Sequence, residues 1–350
     1  MRNWTTTLMV SASVCVLIFA GCGGESGSSS ASAGKSVEDM TPEEAKAALR
    51  QRRLTPGPRT FAGLLRECDL ETAKLFVRAG LDVNGDVSKD SPLIINVLSA
   101  GTPPEVVLYL LEHGMEVPQL RTSFGETLLV LAVRHHPAGV IEAVLDHGAD
   151  PNWQPQKPRR SPLTEAVIRG ELDIVRLLVN RGADINGFEG EEQRPIHAAA
   201  AACFNDIFNF LLEQGAEVKG FTDSQGNTPL HAATGCGVEM VKVLLYRGID
   251  PNAAGDHAGS VMKFAVTNGD AATIRLLLEQ GADPNGNAND LRKPLHLAAR
   301  EGSVENARLL IEYGADVNAH DKYGNTPLRA ARASHKQEVE TLLETNGAEL

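Results

Sequence analysis

The sequence predicts an all-α repeat solenoid: about nine helix-turn-helix units, joined by β-hairpin loops and stacked into an elongated array. Three observations predict it. A glycine recurs at Gly80, Gly114, Gly148, Gly182, Gly215, Gly248, Gly281, Gly314 and Gly347, with spacings of 34, 34, 34 and then 33 five times. Some 11 to 13 residues after each glycine a new helix opens, most plainly at Thr228-Pro229-Leu230-His231. Before the glycine, apolar residues keep helical spacing, as in Ile174-Val175-Arg176-Leu177-Leu178. A fixed period of this length marks units that cannot bury their apolar faces alone and must stack.

Composition narrows the function. The 350 residues are 42% hydrophobic and 22% charged, enough apolar content for a sizeable core. Lys plus Arg number 33 against 45 Asp plus Glu, a net charge of −12. That acid excess opposes binding to a phosphate backbone, which relies on basic residues releasing counterions, so no nucleic-acid partner is expected. Five cysteines are too few for a disulfide scaffold of this length.

The elements follow in chain order. Arg2 precedes an apolar run from Leu8 to Phe19, too short to span a membrane but suited to a secretory signal. Leu17-Ile18-Phe19-Ala20-Gly21-Cys22 resembles the lipobox of bacterial lipoproteins, with Phe19 where that family usually has Leu. The resemblance implies a signal peptide over residues 1–21, cleavage before Cys22, acyl chains on Cys22, and a lipid-anchored protein of the bacterial envelope. Gly23 resembles the outer-membrane default of that family, which would place the chain facing the periplasm. Residues 22–37 read as a flexible tether: from Gly23 to Ser36 all but Glu25 and Lys35 are Gly, Ser or Ala. Gly34-Lys35-Ser36 lacks the preceding strand and first glycine of a phosphate-binding loop and belongs to this tether. Residues 38–56 are expected to hold a capping helix, opened by the capping box Thr41-Pro42-Glu43-Glu44.

The array itself occupies residues 57–350. Thr228 or Ser161 can cap a helix N-terminus, and Pro229 or Pro162 is tolerated at the first helical position. Small residues such as His231-Ala232-Ala233 allow close helix approach, and the repeating glycine suits a left-handed helix end. Thr228-Pro229-Leu230-His231, Lys293-Pro294-Leu295-His296, Arg194-Pro195-Ile196-His197 and His147-Gly148-Ala149-Asp150-Pro151-Asn152 together resemble the ankyrin repeat. Three units depart from that pattern. The segment Gly114-Met115-Glu116-Val117-Pro118 loses the usual Asp and Asn, while Thr127-Leu128 and Ser260-Val261 open helices without proline. Looser turns are expected there.

The sequence offers little chemistry. The resemblance implies that His197, His231 and His296 hydrogen-bond backbone and a preceding Thr rather than act in catalysis. His113 and His147 precede the glycines, where a cation favours a helix C-terminus. His135-His136 point in different directions on a helix and make a poor metal pair. No catalytic residue, metal or cofactor is expected. Cys68, Cys203 and Cys236 are expected as buried free thiols, since equivalent atoms of neighbouring units stand roughly 10 Å apart and a disulfide needs about 7 Å or less. A redox pair of Cys203 with Cys236 is the alternative.

What remains is binding. The ankyrin resemblance implies a protein partner engaged by the hairpin tips and the inner helix face, which line a concave surface. Trp153 in a polar loop, with Lys157, Arg159 and Arg160 beside it, is the leading candidate, because Trp and Arg dominate interface hot spots. Phe188 and Phe221 occupy comparable places in the next two fingers, and Tyr323 lies in the final full hairpin. The reading is thus a monomeric, lipid-anchored interaction module that scaffolds, inhibits or protects an envelope protein. The rival readings are an envelope enzyme or thiol redox factor, and a secreted effector acting on a host.

Overall fold

The computed structural model describes residues 35–88, 91–98, 101–117, 126–153, 160–188, 193–253 and 259–349. The signal segment, Cys22, most of the tether, Lys157 and Arg159 lie outside the described residues. A 3-10 turn at Val37–Asp39 and helix α1 (Pro42–Gln51) precede nine helix pairs. The pairs are α2 (Pro58–Leu64) with α3 (Leu70–Arg78), α4 (Leu93–Val97) with α5 (Pro104–Glu112), and α6 (Leu128–His135) with α7 (Ala138–Asp146). Next come α8 (Pro162–Arg169) with α9 (Leu172–Asn180), α10 (Pro195–Ala201) with α11 (Asn205–Glu213), and α12 (Pro229–Ala233) with α13 (Val238–Tyr246). The last are α14 (Val261–Asn268) with α15 (Ala271–Glu279), α16 (Pro294–Glu301) with α17 (Val304–Glu312), and α18 (Pro327–Ala333) with α19 (Gln337–Thr345).

Local chemistry starts and stops these helices. Thr41 Oγ1 accepts from Glu44 N while Glu44 accepts from Thr41 N, a reciprocal cap for α1. The Ser161, Ser260 and Thr326 hydroxyls accept from the backbone N–H three residues on and open α8, α14 and α18. Second helices end at the repeating glycine, whose φ lies between 79° and 93° in all nine units. The residue after it then donates back into the helix, as Ala149 N does to Val144 O at 3.2 Å.

Stacking supplies the core. First helices pack on first helices and second on second, and one buried apolar cluster runs from Ala45 and Leu49 of α1 to Leu343 of α19. Ala198, Ala199, Ala200, Ala298 and Ala299 are buried, so the first helices meet almost backbone to backbone. Bulk comes from the second helices, as with Phe76 and Phe208.

The fingers between pairs are held mostly by side chains. One finger forms a true strand pair among the described residues, β1 (Asp86–Ser88) antiparallel to β2 (Ser91–Pro92). Elsewhere an Asp two residues before an Asn accepts the Asn backbone N–H, as Asp150, Asp184, Asp250, Asp283 and Asp316 do. The Asn then reaches into the next unit. Asn152 donates to Gly182 O at 2.8 Å and accepts from Asp184 N; Asn252 does the same with Gly281 O and Asp283 N. Asn84, Asn285 and Asn318 repeat the bridge, and Asn186 Oδ1 accepts from Glu217 N. Wherever the Asn is present, a ladder of amide rungs therefore pins one finger to the next.

The ladder is missing a rung where Lys219 stands in the Asn position. Its ammonium lies over the next glycine, so close that a Cβ on Gly248 would sit 2.6 Å from Lys219 Nζ. A lysine carries donors only and cannot make the two-way bridge. The second helices flanking this junction, α11 and α13, also make the sparsest backbone approach of any neighbouring second-helix pair. The same two units are joined covalently: Cys203 and Cys236 form a disulfide, with Cα atoms 5.1 Å apart.

This corrects the expectation of free thiols at those two positions. Helix-axis spacing governs residues inside packed helices, and these cysteines lie in the turns beyond them. Cys203 stands two residues after the end of α10, in the left-handed region at φ 57°, whereas Cys236 stands three residues after the end of α12. The unlike turns converge. Cys68 remains a buried free thiol, and burial pushes its pKa up to about 11.

Candidate partner-binding surface

The polar groups of the first helices are largely committed to the fold. His231 Nδ1 accepts from Thr228 N at 3.0 Å and meets Thr228 Oγ1 at 2.9 Å, while Nε2 reaches Gly259 O of the next unit at 2.9 Å. With Nδ1 accepting, the proton belongs on Nε2, which donates across the repeat boundary. His296 Nε2 makes the equivalent bond to Asn325 O at 2.8 Å. His197 and His296 follow Arg194 and Lys293, so neither has the threonine partner that His231 uses. Burial drives all three imidazoles below their ordinary pKa, His197 to about 4. Near neutral pH all three are uncharged, and His231 and His296 act as structural links. His113 and His147 Nδ1 each approach the carbonyl four residues back at 2.7 Å, tying down a helix C-terminus.

One charged cluster sits between α6 and α8. Arg134 donates to Glu126 at 2.7 Å and to Glu165 at 2.9 Å, and Glu165 is buried. The neighbouring Arg169 donates to Glu171 and to the Val133 and His136 carbonyls. These cations hold the fold together and are not free for a partner. Among the described residues no group of three or more His, Cys, Asp or Glu is placed to hold a metal ion, and no helix is long and apolar enough to cross a membrane.

The sequence-selected binding residues separate once placed. Trp153 is half-buried, its backbone N–H closing a turn onto Asp150 O at 3.4 Å; Arg160 at the far side of that loop is also half-buried. Phe188 does not stand at the surface as expected, being only 8% exposed. Gly187 before it has φ 68°, and the turn carries the ring into a notch of about 400 Å³ lined also by Pro151, Asn152, Leu163 and Asp184. Phe221 is half-buried beneath Arg194, whose guanidinium carbon lies 3.4 Å from the ring centroid. Of the described members of the set, Tyr323 alone is widely exposed, at 62%.

Tyr323 has neighbours that the sequence reading missed. Leu291, at the tip of the preceding finger, is 45% exposed, and Lys322 N donates to its carbonyl at 3.0 Å. Arg292 places its guanidinium carbon 5.3 Å from the Tyr323 ring centroid. The signal was present: Leu291 is an apolar residue in a polar loop, the same anomaly that drew attention to Trp153.

Comparison with known proteins gives one consistent result. A family model described as ankyrin repeats matches residues 101–189, 163–254 and 262–350. An ankyrin repeat protein of fowlpox virus (strain NVSL) is 30% identical over 126 residues, 35% of this chain and 37% of that protein. The B-cell lymphoma 3 protein homolog of Mus musculus is 38% identical over 80 residues, 23% of this chain and 18% of that protein. The chain thus spans well under half the length of these relatives. The crystal structure of the human ASB11 ankyrin repeat domain aligns with TM-score 0.54 and 26% identity, covering 64% of this chain and 100% of that one.

Proposed function

The chain belongs to the ankyrin-repeat family, and from that premise we propose that it is a stoichiometric protein-binding module tethered to a bacterial membrane through Cys22. Ankyrin repeats generally mediate protein–protein interactions, and the fold is typically a non-enzymatic scaffold. The observation that carries the reading is the Asn ladder. Fingers pinned to one another by amide rungs present a preformed surface, and preorganisation spares a binder the entropy of ordering its loops. Trp153, Phe221 and Tyr323, with Arg160, supply aromatic and cationic groups on the finger side for an envelope protein to meet; Lys157 and Arg159 join this set from the sequence alone. Phe188 contributes through the notch it lines.

Anchoring rests on the lipobox and the Gly/Ser tether, and the Cys203–Cys236 disulfide supports an exported, oxidising location. Acyl chains on Cys22 would hold the monomer at the outer membrane, facing the periplasm. Confinement there raises its effective concentration toward membrane-held partners. It would scaffold, inhibit or protect such a partner without turnover.

Metabolic labelling with an alkyne fatty acid tests the anchor. The wild-type chain should take up label and sediment with membranes, and Cys22→Ser should do neither. An unlabelled wild type released to the medium would favour a secreted, host-directed protein instead. Crosslinking in the native envelope, with and without Trp153→Ala, tests the binding role; a partner lost with unchanged melting supports the Trp153 contact.

A further inference from the structure

The tips of the last two full fingers carry features that the fold does not require. Leu291 and Tyr323 are two of the few large apolar side chains left exposed among the described residues. Isolated exposed apolar residues need no explanation. These two, however, stand on adjacent fingers joined by the Lys322 N to Leu291 O hydrogen bond, with Arg292 beside the tyrosine ring. Tyr246, the most exposed of the set at 91%, has no such company on the outer end of α13.

The polarity of these tips is sorted. Their acids are turned inward: Asp290 is 4% exposed and accepts from Ser260 N, Ser260 Oγ and Asn287 N, while Asp321 is 7% exposed and accepts from Tyr323 N and Asn325 N. The cations point outward: Lys322 is exposed, and the Arg292 side chain is 43% exposed, its Nε 3.9 Å from Asp321. An approaching molecule therefore meets two apolar side chains and two cations on a chain whose net charge is −12.

We propose that the fingertips around Leu291, Arg292, Lys322 and Tyr323 are a docking site for an extended acidic protein segment carrying an apolar side chain. Its carboxylates pair with Arg292 and Lys322, and its apolar residue seats against Leu291 and the face of Tyr323. On the rest of this acidic surface such a segment is repelled, so the local cations select both the partner and the point of landing. A second copy of this chain, itself at −12, brings net repulsion. A lipid surface fits less well, because recognition of anionic headgroups uses clusters of about four to eight basic residues. Here Lys293, a further nearby cation, donates its ammonium to Asn287 O.

This inference rests on the interaction-module reading and gives it a partner chemistry at the C-terminal end of the array. The test is selection of a random 12-residue displayed peptide library on the full chain. Fluorescence anisotropy of the recovered peptides would then be measured against wild type, Tyr323→Ala and Lys322→Glu. Recovered sequences should pair Asp or Glu with Leu, Phe or Trp. Affinity should fall about tenfold or more in each variant, the loss of one hot-spot contact, while thermal melting stays unchanged. Raising salt from 50 to 300 mM should weaken binding as the charges are screened. Binders indifferent to both variants, or rich in Lys and Arg, overturn the site while leaving the interaction module standing. Recovery of no binder removes both. Tip-dependent binding to phosphatidylglycerol vesicles, with no acidic peptide selected, replaces the proposal with a membrane contact.

Discussion

Reducing the Cys203–Cys236 disulfide should open the array at one place. The bond closes a loop of 33 residues, and loop-closure entropy for that length corresponds to about 3–4 kcal/mol. That is a large fraction of the margin by which most domains are stable. The position makes the loss local. Across the same junction Lys219 replaces the Asn that bridges other units, and α11 and α13 approach each other least. Without the disulfide, the two units are held by the packing of α10 on α12 and by the side chains they share in the buried cluster, with no close backbone approach of α11 to α13. Cooperative unfolding of a repeat array depends on such interfaces, so the unfolding transition should split. Urea titration with and without a phosphine reductant is the first assay, and amide hydrogen exchange under the same two conditions is the second. Reduced protein should lose about 3–4 kcal/mol, with faster exchange concentrated in α10 to α13, and Cys203→Ala should behave as reduced wild type under both conditions. A reductant-independent midpoint, or an exchange increase spread evenly over all nine pairs, would refute the reasoning.

Other expectations follow from the same contacts. Lys219→Asn should restore the missing rung and stabilise the oxidised protein by about 1 kcal/mol, the net worth of a hydrogen bond or two, read from the urea midpoint. Conversely, Asn252→Ala removes bonds to both Gly281 O and Asp283 N and should cost about 1–2 kcal/mol, with exchange rising in the fingers it joins. Burial lowers His197 to about 4, so the unfolded chain binds the extra proton first as pH falls. Stability should therefore be full above about pH 6.5 and decline between there and about 4, by roughly 3 kcal/mol from this residue, with His231 and His296 adding in the same direction. Urea midpoints at pH 7.5, 6 and 5 check the slope, and a flat profile would contradict it. Phe208→Ala in α11 empties a fully buried site and should cost about 3–5 kcal/mol by the same titration.

Much of the architecture was legible because it depends on local rules that repeat. Thr228-Pro229 and Ser161-Pro162 announce helix starts, the glycine register announces helix ends, and nine registers agree on one stack. The His231 bridge was legible only in part: its Thr228 contact is local, but its second bond reaches Gly259 in the next unit. The fingers were harder. Their conformations rest on Asx turns and inter-unit amides, so the polar loop around Phe188 gave no sign that its ring would turn inward. The disulfide escaped for a geometric reason, since equivalent positions in packed helices differ in separation from equivalent positions in unlike turns. Leu291 carried a sequence signal, an apolar residue in a polar loop, but its partnership with Tyr323 did not, because it depends on the Lys322 N to Leu291 O bond between two fingers.

The central claim is that this array binds a protein through its finger side. Site-specific photocrosslinking tests it directly, with a photoreactive amino acid placed in turn at positions 153, 323 and 246 of the full chain in its native membrane. A discrete protein adduct is expected from the finger positions 153 or 323 and none from 246, which stands on the outer helix at 91% exposure. Adducts from 246 alone, or no adduct from either finger position, would contradict it.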